Sequence, residues 1–145
     1  EAMAQDIPGL SVATDLEDAV RAADIVTSAT MSTDPLILGD WLQPGQHIDL
    51  IGAYRPDMRE VDDAALQRAR VFVDSRETTV GHIGELKIPI ATGAFSADEV
   101  VADYYELDQF QRQDTDDITL FKNGGGAHLD LITSRFILEA WERSR

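Results

Sequence analysis

The residues best placed to do chemistry lie in the stretch His47 to Glu60, around Ile51-Gly52-Ala53-Tyr54. An apolar run of strand length breaks at Gly52-Ala53, passes through Pro56 and reaches a charged turn. Ligands of open α/β sheets sit at the carboxyl ends of strands, and small residues there let a cofactor approach the backbone. A second candidate is Thr27-Ser28-Ala29-Thr30, where hydroxyls and free N–H groups at a strand end can hold the ribose or amide part of a nucleotide. The same hydroxyls can equally bond the local backbone.

Asn123-Gly124-Gly125-Gly126 precedes a helix, so its N–H groups could meet an anion or a carboxylate with help from the helix dipole. It could also be a tight connection only, since it lacks the G-x-G-x-x-G spacing. Lys122, the nearest cation, is expected on a solvated face. His47, His82 and His128 stand alone with no ligand spacing, so no metal site is expected. His128, beside the glycines, could contact a substrate or serve the helix start or the surface. Glu60, Asp62 and Asp63 read as the first turn of a helix, where carboxylates complement the dipole. No G-x-S-x-G elbow and no Walker loop gives positive support to hydrolysis or phosphotransfer.

These candidates need elements to hold them. Residues 1–6 read as the tail of a helix stopped by Pro8-Gly9, and Leu10 to Ala13 as a short strand. Thr14 and Glu17 form a capping-box pattern for a helix over Leu16 to Ala22. Asp24 to Thr30 then reads as a buried strand. A loop with Pro35, an apolar cluster (Leu36 to Leu38, Trp41, Leu42) and the turn Pro44-Gly45 feed the strand Ile48 to Ala53. A short helix to Ala69, capped by Asp62 or Asp63, leads to the strand Arg70 to Asp74. The pattern weakens from Arg76 to Gly93, which reads as irregular. Ser96 and Glu99 form another capping box before Val100, and Gln109 to Asp117 reads as a surface loop. Ile118 to Phe121 is a last strand. The helix after it carries Leu129, Ile132, Phe136, Ala140 and Trp141 at helical spacing, long enough to leave the sheet and pack on a neighbouring domain or subunit. Alternating helices and apolar strands indicate an α/β fold with a parallel sheet covered on both faces.

The chain of 145 residues, 43% apolar, is sized for one domain or part of one. A net charge of −15 with scattered Lys and Arg argues against nucleic acid or an anionic membrane surface as partner. The absence of cysteine removes disulfides and thiol nucleophiles and fits the cytoplasm. No apolar run approaches the roughly 20 residues of a membrane span.

In order, Ala23-Asp-Ile-Val-Thr-Ser-Ala-Thr30, Trp41-Leu-Gln-Pro-Gly-Gln-His47, Ile51-Gly-Ala-Tyr-Arg-Pro-Asp-Met-Arg-Glu60, Val71-Phe-Val-Asp74, Gly84-Glu-Leu86 and Ile118-Thr-Leu-Phe-Lys-Asn-Gly-Gly125 resemble the ornithine cyclodeaminase/mu-crystallin family over nearly the whole chain. The resemblance implies a Rossmann-type doubly wound parallel sheet, incomplete at its N-terminal side. Residues 1–122 would be the second part of a domain binding NAD or NADP. Residues 123–145 would be a glycine loop and a helix packing on a substrate and dimerisation domain. In strand order 3-2-1-4-5-6 the segment at Leu10 would be strand 3 and that at Asp24 strand 4. An N-terminal part of the same protein would then carry the pyrophosphate loop and substrate-binding cations, and these 145 residues would not fold stably alone.

By the same resemblance Thr30, Ile51, Gly52, Ala53 and Asn123 contact the cofactor, Gly124 borders the substrate, and Tyr54 is the catalytic candidate. Tyr54 stands where ornithine cyclodeaminases carry their catalytic aspartate, with Asp57 three residues on. A phenol titrating near pH ~10 is a poor base at neutral pH. Reduction of a small imino or amino acid asks less of that position, because the cofactor brings the reducing power. The implied protein is a cytoplasmic homodimeric reductase or dehydrogenase. Ornithine cyclodeamination and non-catalytic nucleotide binding, in the manner of mu-crystallin, are its rivals.

Overall fold

The structure, a computed structural model, describes residues 6–145, so the helix tail read over 1–6 falls almost wholly outside the described residues. Five strands form one all-parallel sheet: β1 (Ile25–Ser28), β2 (His47–Leu50), β3 (Ala69–Val73), β4 (Val100–Ala102) and β5 (Ile118–Lys122), in spatial order β1-β2-β5-β3-β4. The helices are α1 (Leu16–Ala22), α2 (Asp63–Arg68), α3 (Arg76–Thr79), α4 (Gly84–Thr92) and α5 (Ala127–Arg143). As expected for consecutive doubly wound strands, β1 and β2 are neighbours. The order departs from a simple 4-5-6 run because the last strand, β5, inserts between β2 and β3.

Alternation along each strand decides which side chains enter the core. Ile48 and Leu50 of β2, Val71 and Val73 of β3, and Ile118 and Leu120 of β5 share one face, packed against Val20 of α1, Ala65 and Leu66 of α2, and Leu86 of α4. The connection from β4 back to β5 must pass β3, and its segment 104–112 crosses the opposite face. There the rings of Phe110 and Phe72 meet tilted with centroids 4.9 Å apart, and Tyr104 stacks at 5.6 Å on Phe121. A cleft of about 500 Å³, lined by His47, Phe72, Tyr104, Phe110, Arg112 and Phe121, remains on that face.

Several local expectations are corrected. Leu10 to Ala13 is exposed and forms no strand, because β1 is the sheet edge and no neighbouring ladder reaches this segment among the described residues. The cap of α1 is Asp15, whose carboxylate accepts from Asp18 N at 3.0 Å, rather than Thr14. As an edge strand, β1 is exposed at Ile25 and Thr27 instead of buried throughout. Residues 76–93 hold two helices where irregular chain is expected. Gly84 opens α4 and Gly93 ends it at φ +77°, so two of the glycines that suggest irregular chain are the boundaries of a helix that continues through Pro89. β4 is a strand that the sequence reading lacks. By contrast, Asp62 caps α2 through Ala65 N at 2.9 Å, and the Ser96/Glu99 capping box forms over a single 3₁₀ turn.

Candidate functional site

With all strands parallel, their carboxyl ends line one edge. The register sets Ser28 beside Leu50, Leu50 beside Lys122, and Lys122 beside Val73. The ladder continues one residue further, through Ile51 N to Ser28 O at 2.8 Å and Asn123 N to Leu50 O at 3.0 Å. Thr30, Ile51 to Tyr54, and Asn123-Gly124 therefore belong to one continuous edge.

At its centre is Glu60, which the sequence assigned to a helix start and the structure buries completely. The chain from Ile51 loops out and returns so that one carboxylate oxygen accepts from Ser28 Oγ at 2.6 Å, Thr30 N at 2.7 Å and Thr30 Oγ1 at 2.9 Å. The other accepts from Gly52 N at 2.8 Å and Ala53 N at 3.0 Å. Burial pushes this carboxyl's pKa up, but the hydrogen bonds from Ser28, Thr30 and Ala53 outweigh it and hold the group below its ordinary value. The Thr30 hydroxyl also accepts from Ser32 N at 3.3 Å. Both functions read for the strand-end hydroxyls are thus displaced in part by a third, the binding of an internal carboxylate.

Glu85, on α4, lies behind Glu60 and accepts from Glu60 N at 2.9 Å and Val61 N at 3.0 Å. Burial pushes its carboxyl up to about 7, against the pull of these N–H groups and of the Lys122 cation. Lys122 is not on a solvated face. It follows Ile118 and Leu120 at period two onto the core face, is fully buried, and donates from Nζ to Leu50 O at 3.1 Å. Its burial lowers the ammonium pKa, opposed by Glu85, Glu60, Asp74 and Asp49.

Across the sheet, buried Asp74 accepts from Gly124 N at 2.8 Å, Ser75 N at 2.8 Å and Thr79 Oγ1 at 2.6 Å. Gly125 N donates to Asn123 Oδ1 at 2.7 Å. The first N–H groups of the glycine loop are therefore already satisfied internally. The space beside that loop is a cleft of about 570 Å³ bounded by Asp74, Ser75, Glu77, Tyr104, Gly126 and His128. His128 stands edge-on to Tyr104 at 5.8 Å.

Ile51 and Tyr54 turn outward, 45% and 57% exposed, whereas Ala53 is buried with Met58 and Ile83. Gly52 is small for an internal reason as well: a Cβ there would lie 2.1 Å from Thr30 O and 2.5 Å from Glu60 Oε1. Asp57 is exposed and paired with Arg55 at 3.1 Å. His47 bonds Thr119 Oγ1 through Nδ1 at 2.8 Å on the second face, and His82 is exposed in its loop. Among the described residues no three His, Asp or Glu side chains gather as metal ligands.

The sequence reading missed Glu60, Glu85, Lys122 and Asp74 as parts of this edge. Only Lys122 carried a local signal, its place in the Ile118, Leu120, Lys122 alternation. The others depend on contacts made across the fold.

A family model described as "Ornithine cyclodeaminase/mu-crystallin family" matches residues 2–145. The Delta(1)-pyrroline-2-carboxylate reductase of Paracoccus denitrificans is 58% identical over 131 residues, covering 88% of this chain and 42% of the reductase. The same-named enzyme of Thermococcus litoralis, solved in complex with NADH and L-proline, superposes with a TM-score of 0.79 at 30% identity, covering 89% of this chain and 41% of that one. An archaeal alanine dehydrogenase dimer with bound NAD superposes with a TM-score of 0.83 at 28% identity, covering 99% and 46%. The chain spans about two fifths of the length of the curated relatives it matches.

Proposed function

The chain belongs to the ornithine cyclodeaminase/mu-crystallin family, and from that membership we propose that it forms the cofactor-holding part of an NAD(P)-dependent reductase of a small imino acid, of the pyrroline-2-carboxylate class. The observation that carries this reading is the 58% identity to the Paracoccus reductase over a stretch that includes the whole strand-end edge. The likeness to structures holding NADH or NAD supports the choice of cofactor class.

The edge fits a nicotinamide nucleotide in its chemistry. Its N–H groups at Thr30, Gly52 and Ala53 are satisfied from inside by Glu60, which leaves Ile51 and Tyr54 exposed on the outer side. In this reading Thr30, Ile51, Gly52, Ala53 and Asn123 bound the cofactor, and Gly124 borders the substrate. When bound, the cofactor supplies a hydride to the imine carbon, while a proton must reach the imine nitrogen. Tyr54, exposed and phenolic, is the residue assigned to donate that proton or a hydrogen bond. Asp57, in its surface pair with Arg55, offers no buried carboxylate in place of the cyclodeaminase aspartate.

Residues 1–122 are then the second part of the nucleotide domain, and 123–145 reach a substrate and dimerisation domain. Two observations support this: no residue of α5 is buried, and its Ile132, Phe136 and Trp141 are 63%, 65% and 49% exposed. The reading takes the full-length protein as a cytoplasmic homodimer.

The experiment is nucleotide oxidation by the purified full-length protein with five- and six-membered cyclic imino acids, run beside ornithine with NAD⁺. Turnover of an imine supports the reading. Ammonia release from ornithine replaces it with cyclodeamination, and nucleotide binding without turnover replaces it with a binding protein.

A further inference from the structure

We propose that Glu60 is a positioning residue that sets the nicotinamide edge by tying the ends of β1 and β2 together, with Glu85 and Lys122 bracing it from behind. The role rests on the functional reading above. The tie itself rests on hydrogen bonds alone.

Every polar group of Glu60 is committed. Its carbonyl accepts from Leu36 N at 2.9 Å and Ile37 N at 3.0 Å, and its N–H is held by Glu85. Its two carboxylate oxygens divide their donors by strand, one to Ser28, which ends β1, and Thr30 just after it, the other to Gly52 and Ala53 after β2. Beyond Ile51 the parallel ladder has ended, and two adjacent strand ends would otherwise present N–H groups with no partner and no fixed spacing. A single carboxylate replaces the missing ladder. An ionised acceptor of several short hydrogen bonds holds such groups more strongly than a neutral one. Because the Gly52 and Ala53 N–H groups are turned inward, Ile51 and Tyr54 on either side of them are left facing out.

The brace explains why two further polar side chains are buried nearby. Glu85 fixes the backbone at Glu60 and Val61, and Lys122 fixes Leu50 O, the carbonyl just before the edge begins. Neither reaches the outer rim. They act on it only through Glu60 and the β2 end.

The substitution Glu60→Gln keeps the shape but turns an NH₂ group toward one set of N–H donors, releasing one strand end. In the full-length protein we expect the KM for NADH or NADPH to rise tenfold or more. Amide hydrogen exchange at Thr30, Gly52 or Ala53 should also accelerate tenfold or more. Leu66→Ala, which opens the core on α2 away from the edge, should lower thermal stability and leave that KM within twofold. Should Glu60→Gln fail to fold, Glu60→Asp keeps the charge on a shorter arm that cannot span both ends, and a threefold or larger rise in KM is expected. A folded Glu60→Gln protein, or failing it Glu60→Asp, with the nucleotide KM within twofold of wild type overturns the positioning role. Unchanged exchange at all three amides overturns the tie. If the wild-type protein binds no nicotinamide nucleotide, the functional reading falls, while the exchange measurement still decides the tie.

Discussion

Gly52 packs against the backbone of Thr30 so closely that a methyl group on its α-carbon would lie 2.1 Å from the Thr30 carbonyl oxygen and 2.2 Å from its nitrogen. Neither atom belongs to a flexible side chain that could move aside. Gly52→Ala must therefore push the β1 and β2 ends apart, against the Glu60 hydrogen bonds on both. Overpacking of this kind costs about 1–3 kcal/mol. We expect a loss of that size in urea unfolding of the full-length protein, accompanied by weaker nicotinamide nucleotide binding in a fluorescence titration. A variant as stable as wild type would show that the strand ends are not held as described.

Tyr54 is more than half exposed at the same edge and is carried there by its fixed neighbours Gly52 and Ala53. If its hydroxyl supplies a proton or a hydrogen bond to the substrate, Tyr54→Phe lowers kcat on a cyclic imino acid by about a hundredfold, the lower end of general-acid effects. The nucleotide KM should hold, since the ring is retained. Unchanged turnover removes the hydroxyl from the mechanism.

Four of the five strands (β4 is the exception), α2 with its cap and the long last helix were legible because each follows from local periodicity or a cap residue. The edge was legible as a place, from the apolar runs ending in Gly52-Ala53 and in Asn123-Gly124. What could not be read was the internal chemistry that shapes it. Glu60 reads as one more acid in the first turn of a helix, since its partners are 32 residues upstream at Ser28 and 25 residues downstream at Glu85. The stretch 76–93, weak in local pattern and interrupted by Gly81, Gly84 and Gly93, is helical where Gly84, Glu85, Leu86 and Pro89 are buried by packing. A Cβ at Gly84 would lie 2.5 Å from Met58 O, so the glycine admits the loop that carries Glu60. Leu10 to Ala13 had strand composition but no strand beside it.

Helix α5 exposes Ile132, Phe136, Ile137 and Trp141 without a covering layer among the described residues. An apolar stripe of this kind in a stable protein is buried by a partner surface. In the homodimer proposed above, Ile132→Glu combined with Phe136→Glu should shift the full-length protein from dimer to monomer in light scattering. The far-ultraviolet circular dichroism of the sheet domain should be retained. A double variant that stays dimeric would move the dimer contact elsewhere.

Glu85 gives the fold an unusual dependence on pH. In the unfolded chain its carboxyl titrates at the ordinary 4.5, and in the folded protein burial raises it to about 7. The groups facing it are the N–H donors of Glu60 and Val61, the Lys122 cation and the Glu60 carboxylate. Between these two values the folded state holds a proton that the unfolded state has released, so stability falls as pH rises. The contribution is fully present below pH 4.5 and is lost by the time pH has passed about 7. At 1.36 kcal/mol per pH unit the loss is on the order of 3 kcal/mol. Glu60 acts in the opposite sense. Its folded pKa lies below the ordinary value, so its contribution is present above the unfolded pKa and disappears as pH falls through the folded one. Together they place the stability optimum of this buried cluster on the acid side of neutrality. Urea midpoints of the full-length protein between pH 5 and pH 8 should decline with pH, and Glu85→Gln should flatten that decline even if it lowers the midpoint at every pH. An equally steep decline in the variant would assign the effect to another group.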